Sequence, residues 1–210
     1  MSLIQLPSSL AFLYPNRLWK GSVLDRKVSL TFDDGPVPGV TDWVLAELAK
    51  RDLSATFFMV GDNVRKHPSL AQEVLNAGHQ LGNHTYHHLS GWKTITDTYL
   101  KDVAACDAIL EDILGVQARL FRPPYGWMNP SQAREVAKDK RIVMWSLLSY
   151  DFDSRIAPEK MTQVCTSRTC PGTIIVFHDQ EKTKDQLKKV LPNYLDFLVG
   201  EGYATQPLQG

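Results

Sequence analysis

The sequence lacks an excess of charge of either sign. Its 210 residues include 23 lysines and arginines and 23 aspartates and glutamates, so the formal net charge is zero. A neutral chain has no overall positive field to attract nucleic acid or anionic lipid. We therefore predict a protein that does not bind nucleic acid and whose substrate is uncharged or weakly charged. Four lysines on the last predicted helix are expected to form a solvated face: Lys182, Lys184, Lys188 and Lys189.

Long apolar runs are also missing, because a membrane-spanning helix needs roughly 20 consecutive apolar residues and the runs here are much shorter. The sequence thus predicts no transmembrane segment. Residues 2–15 contain no basic region and no small-residue cleavage site, so they do not have the features of a signal peptide. As written, the sequence predicts a cytoplasmic protein, or one of the cell envelope or a secreted one if a native leader was removed.

Cysteine is scarce. The three cysteines, Cys106, Cys165 and Cys170, show neither the paired spacing of a zinc site nor the density of a secreted disulfide framework. Cys106 falls on the apolar face of a predicted helix and is expected in the core. Cys165 and Cys170 are close enough in sequence that a local disulfide between them stays open.

The chain does contain a repeated alternation of strand and helix patterns. Strands are predicted at 28–32, 55–60, 80–83, 120–122, 142–147 and 173–178, and helices at 40–51, 69–77, 96–114, 131–138, 158–167 and 183–201. Six or more such units in one domain favour a parallel α/β barrel over an open sheet. We predict an arm, 1–27, packed on a single domain, 28–210, and a monomer. Active residues of such a barrel should follow the strands.

Two adjacent carboxylates end the first predicted strand, in the sequence Thr-Phe-Asp-Asp-Gly-Pro at 31–36. Neighbours on an extended chain point to opposite sides, so Asp33 and Asp34 could divide metal binding and proton transfer in one pocket. The alternative is an Asx-type turn that caps the strand, since Asp-Gly-Pro is common in turns.

Three histidines follow the third predicted strand, in the sequence His-Thr-Tyr-His-His at 84–88. In a helical turn, His84 can share a face with either His87 or His88. Two such imidazoles and one carboxylate form a set that suits zinc, cobalt or iron and leaves positions open for water. The alternative is a polar surface loop.

The sequence Arg-Pro-Pro-Tyr-Gly at 122–126 predicts a rigid loop. Its prolines lack N–H groups, whereas Tyr125 supplies one. A stiff loop can direct a backbone donor at an oxyanion. A tight turn with a packed ring is the alternative.

Five segments in order resemble the polysaccharide deacetylase family, the NodB-homology domain of carbohydrate esterase family 4. They are residues 31–36, 84–88, 122–126, the segment around Asp151, and Ile-Ile-Val-Phe-His at 174–178. The resemblance extends over roughly residues 28–180. It implies a distorted (β/α) barrel of the polysaccharide deacetylase type with about seven parallel strands. It also implies one divalent metal ion, with zinc as the first choice and cobalt, nickel or iron as alternatives.

The resemblance further implies which residues hold the metal. Asp34, His84 and His88 would be the ligands, because the family pattern His-Ser/Thr-x-x-His selects His88 over His87. The Thr85 hydroxyl would brace the ligand loop.

The remaining matched residues would transfer protons and stabilise charge. Asp33 would be the general base and Arg122 its partner, and Tyr125 would offer its backbone N–H to the oxyanion. His178 would be the general acid, oriented by Asp151. The implied activity is metal-dependent removal of N-acetyl groups from N-acetylhexosamine units of a polysaccharide or oligosaccharide. The alternatives are a xylan-type O-acetyl esterase, a small-amide amidohydrolase and, from another class, a non-catalytic carbohydrate-binding domain.

Substrate contacts are predicted for Tyr125, Phe152, Val176 and Trp92. Phe152 stands where many members have Trp. Val176 stands where Leu is usual, and this smaller side chain predicts a slightly roomier acyl pocket. Trp92 and Trp127 are expected either to stack on a sugar ring or to pack over the barrel rim. The sequence leaves peptidoglycan, chitin oligosaccharide and other glycans open as substrates.

Overall fold

The computed structural model describes residues 14–210. Within them, strands and helices alternate along most of the chain. The strands are β1 (Lys27–Asp33), β2 (Ala55–Met59), β3 (Gln80–Asn83), β4 (Leu120–Phe121), β5 (Arg141–Ile142), β6 (Leu147–Leu148), β7 (Ile174–His178) and β8 (Ala204–Thr205). The helices are α1 (Thr41–Ala49), α2 (Gly61–Lys66), α3 (Pro68–Asn76), α4 (Thr96–Leu114), α5 (Pro130–Val136), α6 (Pro158–Arg168) and α7 (Lys184–Gly200).

The strands form one parallel sheet. Seven of them follow the order β5-β4-β3-β2-β1-β7-β6, and the short β8 pairs with the start of β1. β1 lies between β2 and β7, with Asp33 opposite Phe58 on one side and His178 on the other. This sheet confirms the prediction of a distorted (β/α) barrel with about seven parallel strands.

The prediction of a single strand over 142–147 was wrong, because this segment is divided between two strands. Ile142 in β5 pairs with Phe121, whereas Leu147 in β6 pairs with Ile175 at the other edge of the sheet. The residues between them cross from one edge to the other, and Val143 forms an isolated parallel bridge with Leu18. A continuous apolar run shows that a segment is buried, but it does not show that the pairing partner changes within it.

Side chains of β1 alternate between two layers, as a strand requires. Leu30 and Phe32 are fully buried in the main cluster, which includes residues of α1, α4 and α7. Burying a side chain such as Phe32 stabilises the fold by about 1.5–3 kcal/mol. Thr31 and Asp33 point the other way, where both contact Arg122. On β1 the helix-facing side chains therefore supply stability, whereas Thr31 and Asp33 on the inner side are polar.

Several helix boundaries carry local sequence signals. α4 ends at Leu114 and is capped by Gly115, whose φ of 65° is the left-handed conformation that glycine favours at this position. α5 begins with a capping box in which Asn129 and Gln132 each bond the other's backbone N–H. The helix predicted at 69–77 starts one residue earlier, at Pro68, since proline suits the first helical position.

The N-terminal arm contacts the barrel where the structure describes it. The Leu18 backbone exchanges hydrogen bonds with Ile142 and Met144, and the Trp19 indole donates to the Tyr14 carbonyl at 3.1 Å. Residues 1–13 of the predicted arm, with most of the stretch weighed as a signal peptide, lie outside the described residues. From residue 14 onwards, none of the helices combines the length and apolarity needed to cross a membrane.

All three cysteines are free thiols, so the local disulfide left open by the sequence is absent here. Cys106 is fully buried in the main cluster, as predicted. Burial raises the pKa of the Cys165 thiol to about 12, which keeps it protonated and unreactive.

Candidate active site

The ends of four strands bring predicted residues to one rim of the sheet. Asp33 is the last residue of β1 and His178 the last of β7, and the two are register partners. His84 directly follows β3, and Arg122 directly follows β4. This placement agrees with the rule that active residues of a parallel barrel lie at the carboxyl ends of its strands.

Eight of the predicted residues line one cavity of about 270 Å³: Asp33, Asp34, His84, His88, Tyr125, Phe152, Val176 and His178. Arg122 and Asp151 are fully buried and reach the cavity through Asp33 and His178. Trp92 does not line the cavity. Ligand pockets usually measure about 300–1,000 Å³, so most of a large ligand would lie on the surrounding rim.

Asp34 enters the cavity because the strand ends at Asp33. Strand alternation alone would turn the Asp34 side chain toward the helix layer, away from Asp33. Instead Asp34 has a φ of 83°, and its N–H donates to the Phe58 carbonyl at 3.2 Å. The left-handed residue turns both carboxylates toward the same space. The expectation that strand alternation separates the two aspartates was therefore wrong in its geometry.

Asp34, His84 and His88 form a cluster that can hold a metal ion, with ligand atoms within 4.8 Å of one another. Asp34 Oδ1 lies 3.4 Å from His84 Nε2 and 3.0 Å from His88 Nε2. His84 Nδ1 lies 2.7 Å from the Arg122 carbonyl oxygen. That oxygen can only accept, so Nδ1 carries the proton and Nε2 keeps its lone pair.

The donor set of this cluster fits a divalent cation. Among the described residues, the buried Asp34 Oδ1 has no hydrogen-bond partner, and the unprotonated His84 Nε2 is directed at it. A cation satisfies two such facing acceptors at once. Burial acts to raise the pKa of Asp34, but the adjacent imidazoles of His84 and His88 and the charge of His178 hold it well below its usual range. Asp34 is thus ionised and can serve as a metal ligand.

Asp102 on α4 determines which histidine faces the cluster. Asp102 Oδ1 lies 2.5 Å from His87 Nδ1, and Oδ2 accepts the N–H groups of Tyr86 and His87 at 2.9 Å each. His87 is thereby held away from the cavity, and His88 faces Asp34. The Thr85 hydroxyl accepts the Leu89 N–H at 3.1 Å, which closes the loop. Sequence reasoning missed Asp102, although an acid among the buried positions of α4 was a usable signal.

Arg122 fixes the orientation of Asp33. Its guanidinium donates to Asp33 Oδ1 and to the Thr31 hydroxyl at 2.7 Å each, and to the Met144 carbonyl at 2.9 Å. The guanidinium also lies over the Phe58 ring, 4.2 Å from its centroid. Burial lowers the pKa of Arg122 while Asp33 opposes that change, and a guanidinium stays charged in proteins. Asp33 is therefore an oriented carboxylate beside a fixed positive charge.

Asp151 holds His178 in a comparable way. One carboxylate oxygen lies 2.8 Å from His178 Nδ1, and the other accepts the His178 backbone N–H at 2.7 Å. Burial acts to lower the pKa of His178, but the charge and hydrogen bond of Asp151, together with Asp34 and Asp33, raise it to about 9. His178 is thus protonated at neutral pH. The Phe152 ring contacts its imidazole edge to face, with centroids 5.4 Å apart.

Backbone conformations with positive φ concentrate at this rim. Among the described non-glycine residues, five of the six with positive φ belong to the strand-end loops of the site: Asp34, Thr85, His88, Tyr125 and Tyr150. Each such conformation costs on the order of 1–3 kcal/mol and persists only where the surroundings impose it. The surrounding contacts therefore hold these loops in a geometry that the chain alone would not adopt.

Residues just after β7 were missed by sequence reasoning, which stopped at His178. The Gln180 amide donates to Asp34 Oδ2. The buried Asp179 accepts the Gly35 N–H at 3.1 Å and the Thr41 hydroxyl at 2.6 Å, and a Cβ on Gly35 would overlap its carboxylate. Burial, with a smaller contribution from Asp34, raises the pKa of Asp179 to about 8. The signal was available, since these polar residues directly follow an apolar strand.

Two other cavity residues differ from expectation. Trp145, on the segment that crosses between β5 and β6, lines the cavity and was not predicted. Lys182 was predicted on the solvated face of the last helix, but it precedes α7 in a 3-10 turn (Glu181–Thr183) and lies at the cavity. The helical pattern did not show where α7 begins.

Comparison with known proteins gives consistent matches. A family model described as polysaccharide deacetylase matches residues 20–145. The chain is 31% identical over 180 residues to a peptidoglycan-N-acetylglucosamine deacetylase of Bacillus cereus, covering 83% of this chain and 65% of that protein. It is 31% identical over 199 residues to a chitooligosaccharide deacetylase of Azorhizobium caulinodans, covering 86% of this chain and 92% of that protein.

Among solved structures, a crystal structure of a peptidoglycan N-acetylglucosamine deacetylase superposes with a TM-score of 0.83 at 28% identity, covering 94% of each chain. The chain spans only 34% to 65% of the length of the first curated relatives that it matches.

Proposed function

Because the chain belongs to the polysaccharide deacetylase family, we propose that it removes N-acetyl groups from N-acetylhexosamine units of a polysaccharide or oligosaccharide. One observation supports this most strongly. The candidate metal cluster lies beside two oriented proton-transfer groups, Asp33 held by Arg122 and His178 held by Asp151. Relatives named for peptidoglycan N-acetylglucosamine and for chitooligosaccharides support a glycan substrate.

Asp34, His84 and His88 would hold one divalent metal ion. We propose zinc, because two imidazole nitrogens and one carboxylate oxygen are ligands that zinc prefers, with cobalt, nickel or iron as alternatives. Such an ion supplies a Lewis acid for the acetyl carbonyl and for the attacking water.

Asp33 is proposed to accept the proton of the attacking water. Its Oδ1 is occupied by Arg122, whereas its Oδ2 lies 4.0 Å from His84 Nε2, on the side of the metal cluster. The hydrogen bond from Arg122 holds the carboxylate in one orientation, with Oδ2 free to accept a proton. Tyr125, in the strained turn after β4, is proposed to offer its backbone N–H to the oxyanion.

His178 is proposed to protonate the leaving amine. Since Nδ1 bonds to Asp151, Nε2 is the nitrogen left for the substrate, and the raised pKa keeps a proton there at neutral pH. The amide C–N bond breaks, the hydroxyl of water goes to the acyl carbon, and the nitrogen receives the proton of His178. The products are acetate and a free amino sugar.

Acetate release from N-acetylchitooligosaccharides and from peptidoglycan tests this proposal with three variants. Asp33→Asn should lower kcat by roughly 10²–10⁴-fold, as expected for loss of a general base, and His84→Ala should abolish turnover. His87→Ala is the matched control, because it removes a histidine of the same loop that is turned toward Asp102, and it should keep most of the activity. Unchanged turnover in Asp33→Asn or His84→Ala would contradict the proposal.

The same panel should include acetylated xylan and a small amide, because faster release from either would favour the esterase or amidohydrolase alternative. The monomeric state and the compartment stay predictions from the sequence.

A further inference from the structure

Two tryptophans stand exposed next to the active-site cavity. The side chain of Trp92 is 68% exposed and that of Trp127 is 59% exposed. Their ring centroids lie 5.9 Å apart with the planes tilted by 52°. Such rings usually bury much of their large apolar surface. An exposed pair therefore marks a contact surface rather than a piece of the core.

The backbone beneath both rings is fixed by a buried amide. Gln132 is fully buried, and its Nε2 donates to the Gly91 and Thr94 carbonyls at 3.0 Å each. Its Oε1 accepts the Asn129 N–H at 2.9 Å. The loop that carries Trp92 and the segment that carries Trp127 are thus joined through one side chain at the start of α5.

Close packing at Gly91 strengthens this connection. A Cβ there would lie 2.8 Å from the Trp127 carbonyl oxygen and 2.9 Å from the Met128 Cα, so only glycine allows the two segments to approach. The two indoles are consequently presented from backbone that is already ordered. Binding to such a preformed surface avoids much of the entropy cost of ordering a loop.

The tryptophan pair is continuous with the active site. Tyr125 and Gly126 line the cavity, and the Tyr125 ring contacts the His88 ring with centroids 4.8 Å apart. Trp127 follows two residues later, and two residues extend over at most about 7 Å. A chain-like ligand with one unit at the metal cluster would therefore place a neighbouring unit near Trp127 and Trp92.

We propose that Trp92 and Trp127 form a binding subsite for a sugar unit of the glycan next to the one that is deacetylated, an inference that rests on the proposed function. Two indoles offer at most about 500 Å², less than the roughly 800 Å² per partner that a stable protein interface buries. The flat C–H faces of pyranose rings match this small, tilted aromatic surface. The subsite extends binding beyond a cavity that is too small for an oligosaccharide.

The test compares substrates that reach the pair with one that does not. Zinc-loaded enzyme is assayed on N-acetylglucosamine oligomers from dimer to pentamer and on 4-nitrophenyl acetate, for wild type, Trp92→Ala, Trp127→Ala and the double variant. Each alanine variant should raise KM for the longer oligomers by roughly 3- to 10-fold and lower the rate ratio of pentamer to nitrophenyl ester. Trp92→Phe and Trp127→Phe should restore most of the ratio. Ile95→Ala is the control, since Ile95 is a nearby exposed apolar residue, 74% exposed, without a ring, and its ratio should match that of wild type.

Calorimetric titration of the pentamer into zinc-loaded Asp33→Asn protein, with and without the two alanine substitutions, measures binding without turnover. A weaker Kd in the substituted protein supports the subsite. Equal Kd values, an unchanged rate ratio, or the same loss in Ile95→Ala would overturn it. Failure of the proposed function is distinguishable, because wild type would then release no acetate from any oligomer.

Discussion

Replacing Asp151 by asparagine should lower the pH at which activity is lost on the alkaline side. In the proposed reaction His178 acts in its protonated form, so activity should fall as the pH rises through its pKa. Burial alone would lower that pKa, and Asp151 provides the largest opposing contribution, through charge and a hydrogen bond, so that the net pKa is about 9 against an ordinary value of 6.5. Asparagine keeps the shape and removes the charge.

The size of the change follows from the contact. A carboxylate at hydrogen-bond distance commonly shifts a partner's pKa by about 1–3 units. The 2.8 Å contact between Asp151 and His178 Nδ1 is a hydrogen-bond distance. We expect the alkaline limit to fall by about 1–2 pH units, or about 1.4–2.7 kcal/mol at 1.36 kcal/mol per unit.

The same pKa affects stability. Because folding raises the His178 pKa, the contribution of His178 to stability is fully present below about pH 6.5 and is lost as the pH rises through about 9.

The assay is kcat/KM for an N-acetylchitooligosaccharide between pH 5 and pH 10, on zinc-loaded wild type and Asp151→Asn. Asp153→Asn is the matched control, because it removes a carboxylate of the same loop that pairs with Arg155 at 2.7 Å. Coincident alkaline limits in wild type and Asp151→Asn, or an equal displacement in Asp153→Asn, would refute the assignment of His178 as the acid held by Asp151.

Three further predictions concern the cavity walls and the metal. Because burial raises the pKa of Asp179 to about 8, its carboxyl is neutral at pH 7. Asp179→Asn should therefore keep the midpoint of urea unfolding, whereas Asp179→Ala should lower the free energy of unfolding by roughly 2–3 kcal/mol. Equal loss of stability in both variants would contradict this. Wild type should cleave a propionyl substrate at least as fast as an acetyl substrate, and Val176→Leu should reduce propionyl cleavage more than acetyl cleavage. Strict acetyl selectivity of wild type would show that the acyl pocket is not roomier. After bound metal is removed with a chelator, zinc added at 100 times its Kd should stabilise wild type by about 2.7 kcal/mol in thermal unfolding. The same zinc should not stabilise His84→Ala. Equal stabilisation of both proteins would place the ion elsewhere.

The sequence predicted the site residues that directly end or follow strands, because parallel strands bring their carboxyl ends together. Asp33 and His178 are of this kind, and the structure shows them as register partners. The orientation of Asp34 could not be predicted in this way, since it depends on a left-handed residue imposed by packing. Asp102 and Asp179 escaped notice because each acts through backbone N–H groups of a distant loop, and such contacts leave no periodic pattern in the sequence.

The division of strand 142–147 escaped notice for a related reason. Hydrophobic periodicity reports burial, and the segment is largely buried throughout the change of partner. Only the pairing of Phe121 with Ile142, and of Ile175 with Leu147, shows that the barrel is bridged here by a crossing chain.

Arg122 has a consequence for how sequences of this type diverge. Its guanidinium orients Asp33, and it also bonds the Val143 and Met144 carbonyls of the crossing chain, so one group both holds the proposed base and fixes the crossing chain. A descendant that abandoned catalysis would still need this arginine, whose removal would leave buried carbonyls and the buried Asp33 unpaired. Retention of Arg122 in a related sequence is therefore poor evidence of activity by itself.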